Sequence, residues 1–318
     1  MKRKIGLGLA ILFVVLGIGF LLFSGRIAGP GETANATMKV TDSTGRDVDI
    51  PLHPKRVVIL NASNVDLYVA AGGGDNIAGI ATSEAYSDEV KKAMANAKEV
   101  GIIHSPSVET ILSLQPDLVI GTNVPFHQAL TETLGKAGIP LYINSVNTFD
   151  DLYSSITLFG RLNGQEQVAE KKIADMKADY KAVMEDVKDR MPPKSLIIFG
   201  NPQSFNMATQ KTFTGNLIKC LGGGNIADTI NDSNAYIPLN LEFLTKENPE
   251  VIFIIMMGDK KAMEEKVRTE LEGHPAWQNV KAVQNKRVYI LPFNLFTINP
   301  GVKAIEALKM VKGYMYDK

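Results

Sequence analysis

Four histidines are the side chains of this sequence best suited to bind a metal or to move a proton: His53, His104, His127 and His274. No two of them have the i, i+4 spacing of a helical metal site. His53 and His274 each precede a proline, and we interpret both as structural. His104 lies in a loop before a helix and His127 follows a strand end, where open α/β sheets bind ligands. For these two, a plain loop histidine and a ligand contact both remain open.

Two acidic residues hold matching positions near the starts of two predicted helices. Glu109 follows the cap Ser107, and Glu242 follows the cap Asn240. An acid at a helix N-terminus gains ~0.3–1 kcal/mol from the helix dipole, which accounts for both without any function. Two acids on matching surfaces could also bind a partner that carries two arginines. Each charge-assisted hydrogen bond would then contribute on the order of 1.5–3 kcal/mol.

No sequence motif indicates phosphate binding, a disulfide, a cysteine metal cluster or nucleic-acid binding. The triplets Gly72–Gly74 and Gly222–Gly224 follow helices and precede strands, which favours helix C-caps over phosphate loops. The single cysteine, Cys220, excludes an intrachain disulfide and a cysteine metal cluster. The formal net charge of +0 provides no basic field for nucleic acid.

The N-terminus predicts export. Lys2-Arg3-Lys4 precedes the apolar run Ile5–Phe23, which has about the length of a membrane-spanning helix, and the positive end should stay inside. We therefore expect residues 1–37 to be a signal peptide or a membrane anchor with a tether. Ala34-Asn35-Ala36 resembles a cleavage site, so cleavage and retention both remain open. No cysteine is present there to take a lipid.

The rest of the chain alternates strand and helix patterns, which predicts mainly parallel sheets covered by helices. After a hairpin at 39–50, we expect strands at 56–60, 77–80, 118–120, 141–143, 196–199, 251–255 and 288–291. We expect helices after 60 and at 91–97, 107–114, 128–136, 149–162, 215–221, 241–246, 260–272 and 302–316.

One long helix and an internal echo predict the domain organisation. Residues 165–190 contain no Gly or Pro and would span roughly 39 Å as a helix. A short motif occurs twice with the same spacing to a following Pro, an acid and an apolar run: once at Ser107-Val108-Glu109 and once at Asn240-Leu241-Glu242. We therefore predict an α/β protein with two Rossmann-like lobes, 38–164 and 191–318, joined by the helix 165–190.

These motifs resemble the substrate-binding proteins of ABC importers for iron–siderophore, haem and cobalamin, whose lobes are joined by one rigid helix. The resemblance covers roughly residue 38 to the C-terminus. It rests on Val40-Thr41-Asp42 with Gly45-Arg46, Pro54–Val58, Val100-Gly101, Pro106–Glu109, Leu114–Ile120, Gly222–Ala227 and Asn248–Val251.

The resemblance implies a ligand cleft between the lobes and docking of Glu109 and Glu242 on arginine pockets of a permease. It implies that the cleft loops bind the ligand through Asn61, Ser63, Asn64, Tyr86, His104, Thr122, Asn123, His127, Phe205, Met207, Tyr236, Met257, Asn294 and Phe296. Lys211 is the one cation expected in this set. In haem-binding relatives an axial ligand precedes the Ser-Pro loop, a position held here by His104. Tyr86, His127, Met207 and Tyr236 are the candidates for a second contact.

The aromatic and methionine residues of this set favour a flat metal–macrocycle, with haem first and cobalamin or a ferric siderophore next. We expect an exported monomer that has no cofactor of its own, works with an ABC permease and ATPase, and binds no nucleic acid. Iron or cobalt would arrive within the ligand. The alternatives are a metal-chelate or metal-insertion enzyme on the same scaffold, and a binder of a free metal ion or an oxyanion.

Overall fold

The computed structural model of the chain describes residues 36–83, 86–296 and 301–317. The predicted apolar run Ile5–Phe23, and with it the signal or anchor, lies outside these ranges. Within them, no helix combines the length and the apolar character needed to cross a membrane.

The N-terminal half contains a short hairpin and one five-stranded sheet. Its strands are β1 (Thr37–Thr41), β2 (Asp47–Pro51), β3 (Val57–Ile59), β4 (Ile77–Ile80), β5 (Lys98–Glu99), β6 (Gly101–Ile102), β7 (Ser105–Pro106), β8 (Leu118–Gly121) and β9 (Leu141–Ile143). The hairpin pairs β1 with β2. The sheet has the order β5-β4-β3-β8-β9 and every neighbouring pair in it is parallel. The direction of the strand order therefore reverses between β3 and β8.

The helices of this half mostly follow the predicted ones. They are α1 (Ala62–Ala70), α2 (Asp88–Ala93), α3 (Val108–Ser113), α4 (Pro125–Gln128), α5 (Leu130–Lys136) and α6 (Phe149–Asn163). The helix predicted at 128–136 corresponds to α5, and a separate short helix, α4, begins before it at Pro125. A capping box of Thr148 and Asp151 begins α6, and Gly164 ends it in the left-handed region at φ 63°.

The long helix is α7 (Glu166–Val187), three residues shorter at its C-terminal end than the predicted 165–190. It packs against α6 and against the last helix of the chain, α14 (Ala304–Tyr316). Its buried residues are Ala169, Met176, Val183 and Val187, at spacings of seven and four. This helix therefore has a helical apolar stripe that contacts elements from both halves.

The C-terminal half contains a six-stranded sheet. Its strands are β10 (Lys194–Gly200), β11 (Phe205–Ala208), β12 (Gly224–Asn225), β13 (Tyr236–Pro238), β14 (Val251–Met256) and β15 (Val288–Ile290). The order is β13-β11-β10-β14-β15, with β12 also paired to β10. The pairs that β10 forms with β12 and β14, and β14 with β15, are parallel. β11 and β13 run antiparallel to their neighbours, and neither strand was predicted.

The remaining helices surround this second sheet. They are α8 (Phe213–Cys220), α9 (Leu241–Glu247), α10 (Lys260–Lys266), α11 (Pro275–Gln278), α12 (Lys281–Gln284), α13 (Phe293–Phe296) and α14, with short turns at Ile226–Thr229, Val267–Glu272 and Gly301–Lys303. The helix predicted at 260–272 thus changes to a π-helical turn halfway.

The internal echo of the sequence corresponds to matching local structure. α3 is followed by Gln115 at φ 46°, and α9 by Asn248 at φ 49°; each precedes a proline. The acid after each proline accepts a backbone N–H at the start of the neighbouring central strand: Asp117 from Arg56 at 3.0 Å and Glu250 from Lys194 at 3.1 Å. The two copies therefore fix a helix to a parallel strand in the same way.

Three clusters of buried apolar side chains form the core. The largest contains residues of both sheets together with α6, α7 and α14. A second cluster belongs to the C-terminal sheet and a third to the N-terminal sheet. The mixed α/β fold with mainly parallel sheets is as predicted, and the helices between the sheets pack into one continuous core.

Candidate functional site

A cavity of about 500 Å³ lies at the carboxyl ends of the parallel strands of both sheets. From the N-terminal half it is lined by the segments that follow β3, β4, β6, β8 and β9. From the C-terminal half it is lined by residues of β10, β11, β13 and β14 and by the segments that follow β11, β14 and β15. The N-terminal sheet contributes the loops after β3 and β8, where its strand order reverses. Ligands of open α/β sheets bind at such a point.

Ten of the residues predicted to bind the ligand line this cavity. They are Asn61, Ser63, Asn64, His104, Thr122, Asn123, Tyr236, Met257, Asn294 and Phe296. The other four predicted residues, Tyr86, His127, Phe205 and Met207, do not line it.

The N-terminal wall of the cavity is held by a buried network of amides. Asn64, 1% exposed, donates from Nδ2 to Asn61 Oδ1 (2.8 Å), to the carbonyl of Gly121 (3.0 Å) and to that of Asn144 (3.1 Å). Its Oδ1 accepts from Asn144 Nδ2 at 2.8 Å, and Ser155 Oγ donates to Asn144 Oδ1 at 3.1 Å. Because both ends of its amide are hydrogen-bonded, Asn64 holds the loops after β3, β8 and β9 together.

The loop after β8 is fixed from two sides. The hydroxyls of Thr122 and Ser145 are 3.0 Å apart, and Ser145 Oγ accepts the Asn123 N–H at 2.8 Å. His127 Nδ1 accepts the Thr122 N–H at 2.9 Å. Thr122 and Asn123 are thus presented to the cavity on an ordered loop.

The C-terminal wall is largely apolar. It contains Phe199, Ile255, Met257, Phe296 and the exposed aromatic residues Tyr236 and Phe293. Phe199 and Tyr236 pack with ring centroids 5.0 Å apart. The C-terminal wall suits a ligand with an extended apolar surface.

At the mouth of the cavity, His104 is exposed, and its ring contacts that of Phe126 edge-on with ring centroids 5.5 Å apart.

Charged residues line the cavity at three positions. Lys211 and Lys303 supply ammonium groups, and Asp66 is the one carboxylate among the described lining residues. Asp66 is 8% exposed and its Oδ1 is buried without a hydrogen-bond partner. Burial raises the pKa of Asp66 to about 6, while the positive charge of Lys303 lowers it in part. Among the described residues, no three His, Cys, Asp or Glu side chains converge as a metal site.

Tyr86 and His127 do not line the cavity, which corrects two of the predicted contacts. Tyr86 is 6% exposed, and its hydroxyl donates to the carbonyl of Ala81 at 2.8 Å. His127 is fully buried in α4, and burial lowers its pKa to about 4. Its imidazole is therefore neutral near pH 7 and serves the Thr122 loop.

Phe205 and Met207 are corrected for a different reason. They occupy alternate positions of the unpredicted strand β11, so both side chains point to the same face of the sheet. That face packs into the cluster containing Leu196 and Ile198. Ala208, on the opposite face of β11, lines the cavity instead.

The two glutamates lie where the sequence predicted. Glu109 is exposed in the first turn of α3, whose cap Ser107 accepts the Thr110 N–H at 3.2 Å. Glu242 is exposed in the first turn of α9, whose cap Asn240 accepts the Phe243 N–H at 2.9 Å. Both carboxylates are therefore free to meet another protein.

Several cavity residues were missed from the sequence. Asn144 and Ser145 follow β9, so the strand-end rule that located Thr122 could also have located them. Asp66 carried a weaker signal, as the one charged residue of the otherwise uncharged helix α1. Nothing in the local sequence marks Lys303, which reaches the cavity because Gly301–Lys303 packs against α1.

Comparison with known families gives one match over most of the chain. Residues 57–295 match the family described as periplasmic binding protein. Both sheets fall within this range, as do all residues that line the cavity except Phe296 and Lys303.

Individual relatives cover nearly the whole chain. The ABC transporter substrate-binding lipoprotein YvrC of Bacillus subtilis is 28% identical over 99% of this chain and 98% of its own length. The Fe(3+)-citrate-binding protein YfmC of the same organism is 28% identical over 91% of this chain and 90% of its own. The structure of Staphylococcus aureus IsdE complexed with haem has the same fold, with a TM-score of 0.73 and 23% identity over 82% of this chain and 99% of IsdE. The chain therefore belongs to the periplasmic binding protein family.

Proposed function

We propose that this protein binds an iron complex outside the cytoplasm and delivers it to the permease and ATPase of an ABC importer. The main support for this proposal is the cavity, which has ordered polar groups on its N-terminal wall and aromatic side chains on its C-terminal wall. The names of YfmC and IsdE refer to ferric citrate and haem, which supports an iron-containing ligand. In this proposal the iron belongs to the ligand, and the chain has no cofactor of its own.

Haem is our first candidate ligand. His104 at the mouth offers an imidazole, a good ligand for haem iron. Of the four predicted second contacts, Tyr86, His127 and Met207 are buried away from the cavity, which leaves Tyr236 on the opposite wall. The rings of Phe199, Phe293 and Phe296 would contact the faces of the macrocycle.

A small anionic ferric chelate is the second candidate, and the two lysines favour it. Lys211 and Lys303 line the cavity from the C-terminal half, whereas the sequence suggested Lys211 alone. Ammonium groups pair well with the carboxylates of a chelate such as ferric citrate. Haem propionates would use the same lysines, so the two candidates share this part of the site.

The test is to titrate the purified protein separately with haem, ferric citrate and cobalamin while recording visible absorption and intrinsic fluorescence. For haem we expect a saturable one-to-one shift of the Soret band that changes in His104→Ala and in Tyr236→Phe. Phe126→Ala removes the ring beside His104 and serves as the control for a packing effect. A Soret band identical in the wild type and both variants would exclude these residues as axial ligands. Saturable fluorescence quenching by ferric citrate without a haem shift would favour the second candidate.

We propose that Glu109 and Glu242 dock on the permease, since both are exposed, capped in the same way and placed at equivalent points of the two halves. Glu109→Ala with Glu242→Ala should abolish uptake and leave ligand affinity unchanged. The matched control is Glu132→Ala with Glu166→Ala, which removes two other acids from first helical turns. Loss of ligand affinity in the docking variant would contradict the docking role.

The lobes 38–164 and 191–318, joined by the helix 165–190, are part of the same proposal. Each sheet is drawn from one half of the chain, and α7 contacts helices of both halves, which supports this division. Because α7 packs along its length, we expect any closure around the ligand to be small.

A further inference from the structure

Asp66 is a buried acid in a cavity whose other polar lining groups include amides, hydroxyls and two lysines. It lies in α1, is 8% exposed and leaves Oδ1 buried without a hydrogen-bond partner. A carboxylate in such a position carries a desolvation penalty that is relieved when it takes up a proton. An anionic ligand beside it would increase that penalty further.

The close approach of two segments keeps Asp66 in this position. Gly301 has φ +59°, and a Cβ at Gly301 would lie 3.0 Å from Asp66 Cβ and 3.3 Å from the Ser63 carbonyl oxygen. The turn Gly301–Lys303 therefore covers Asp66 from the side of the C-terminal half. Lys303, the last residue of this turn, lines the same cavity.

Among the residues that the structure describes, few charged groups act on Asp66. Lys303 acts on its carboxyl from the turn, and Tyr86, in the segment before α2, interacts with it as a neutral phenol. The charged residues of α2 are exposed, at positions 88, 89, 91 and 92. Val90 of α2, Phe159 of α6, Gln165 before α7 and the apolar strand β3 near α1 are uncharged. The carboxylate of Asp117 acts on Tyr68 of α1.

We propose that Asp66 is a specificity-determining residue that takes up a proton when an anionic group of the ligand binds beside it and Lys303. Lys303 attracts the anion, and the protonated carboxyl removes the repulsion and can donate a hydrogen bond to it. This inference rests on the proposed function, because it requires a ligand with anionic groups. Burial already raises the pKa of Asp66 to about 6 in the free protein, so a modest further rise on binding causes proton uptake near neutral pH.

The first measurement needs no ligand. The side-chain carboxyl carbon of Asp66 is followed by NMR as a function of pH, and its signal is assigned with Asp66→Asn. We expect a midpoint near pH 6 that moves upward in Lys303→Met and stays in place in Lys211→Met, the matched loss of a cavity lysine. A midpoint below about 4.5, the range of an ordinary Asp, overturns the proposal.

The second measurement compares affinities for haem and for ferric citrate between pH 5.5 and 8.0. Uptake of one proton lowers the affinity of the wild type by up to about tenfold per pH unit above the midpoint of Asp66. Asp66→Asn should have no such slope and should bind about tenfold more tightly than the wild type at pH 8.0. Asp88→Asn, an exposed acid of α2, is the control and should behave as the wild type. Ligand protonation cancels in the ratio of wild type to variant.

The outcomes separate this inference from the proposed function. If the ratio of the affinities of the wild type and Asp66→Asn for a probe is the same at every pH, the role of Asp66 is overturned. The iron-complex proposal then stays intact. Failure of both probes to bind at any pH contradicts the iron-complex proposal and with it the ligand-linked proton uptake, and a carboxyl midpoint near 6 would then support only the raised pKa of Asp66.

Discussion

The two walls of the cavity are built on different physical principles. The N-terminal wall is polar, and its central side chain, Asn64, is 1% exposed with both ends of its amide hydrogen-bonded. The C-terminal wall is apolar, and two of its rings, Tyr236 and Phe293, are 43% and 51% exposed. The first wall is thus part of the folded core, whereas the second keeps apolar surface in contact with solvent.

This difference separates stability from recognition. Buried amides contribute to the fold because removal of one partner leaves the others unsatisfied in a low-dielectric interior. Exposed rings contribute little to the fold but offer apolar area that a ligand can bury. We therefore expect substitutions on the N-terminal wall to change the free energy of unfolding, and those on the C-terminal wall to change ligand affinity.

The largest expected effect is that of Asn64→Ala. The substitution removes the partner of Asn61 Oδ1, of the Asn144 carbonyl and of Asn144 Nδ2, while the Gly121 carbonyl keeps its bond from the Asn144 N–H at 2.9 Å. We expect the free energy of unfolding to fall by about 3 kcal/mol, measured by urea denaturation. Asn123→Ala, an exposed amide of the same wall, is the control and should lose less than about 0.5 kcal/mol. Equal losses in the two variants would contradict a structural role for the amide network.

A smaller effect of about 2 kcal/mol should come from His127 as the pH falls. Burial lowers the pKa of His127 to about 4 in the folded chain, against about 6.5 when unfolded. The unfolded chain therefore binds more protons between these values, and the contribution of His127 to stability, full above pH 6.5, is lost as the pH falls towards 4. Asp66 has the opposite sign, because its raised pKa favours the folded state on acidification.

The His127 contribution is isolated by a variant that keeps an acceptor for the Thr122 N–H but does not titrate. From pH 7 to pH 5, the stability advantage of the wild type over His127→Asn should shrink by about 2 kcal/mol, as measured by urea denaturation. A difference that stays constant with pH would mean that the pKa of His127 is the same in the folded and the unfolded chain.

The same contrast explains what could be predicted from the sequence. The central strands were predictable because β3 and β14 are short, apolar and β-branched, and the polar residues after them mark the cavity edge. β11 and β13 were not, because Phe205–Ala208 and Tyr236–Pro238 are short strands without a clear alternation, and β13 lies at the edge of the sheet. Missing β11 led to the wrong placement of Phe205 and Met207, since the direction of a side chain follows from its strand.

Burial of polar residues was the other part that sequence reasoning could not supply. His127 and Asn123 look alike as polar residues after a strand, but α4 turns His127 inward while Asn123 stays exposed. Asp66 and Lys303 act on each other because the turn Gly301–Lys303 packs on α1, a contact between distant parts of the chain. Periodicity describes one element at a time and does not report which elements meet.

The smallest effect on stability should come from Phe293→Ala on the C-terminal wall. Its side chain is half exposed, so we expect a loss below about 1 kcal/mol in the free energy of unfolding. If the ring contacts the ligand, affinity for haem should fall about tenfold, or ~1.4 kcal/mol. The measurements are urea denaturation and haem titration of the same variant.

Ile290→Ala is the matched control for this prediction, because Ile290 is 50% exposed and close in sequence but does not line the cavity. It should lose a similar small amount of stability and retain full haem affinity. A loss of affinity shared by both variants would point to a disturbed C-terminal sheet rather than a lost contact. A loss of stability in Phe293→Ala as large as that in Asn64→Ala would remove the distinction between the two walls, because the exposed ring would then be supporting the fold. Small stability losses in both variants, with reduced affinity in Phe293→Ala alone, would assign the exposed apolar surface of this wall to the ligand.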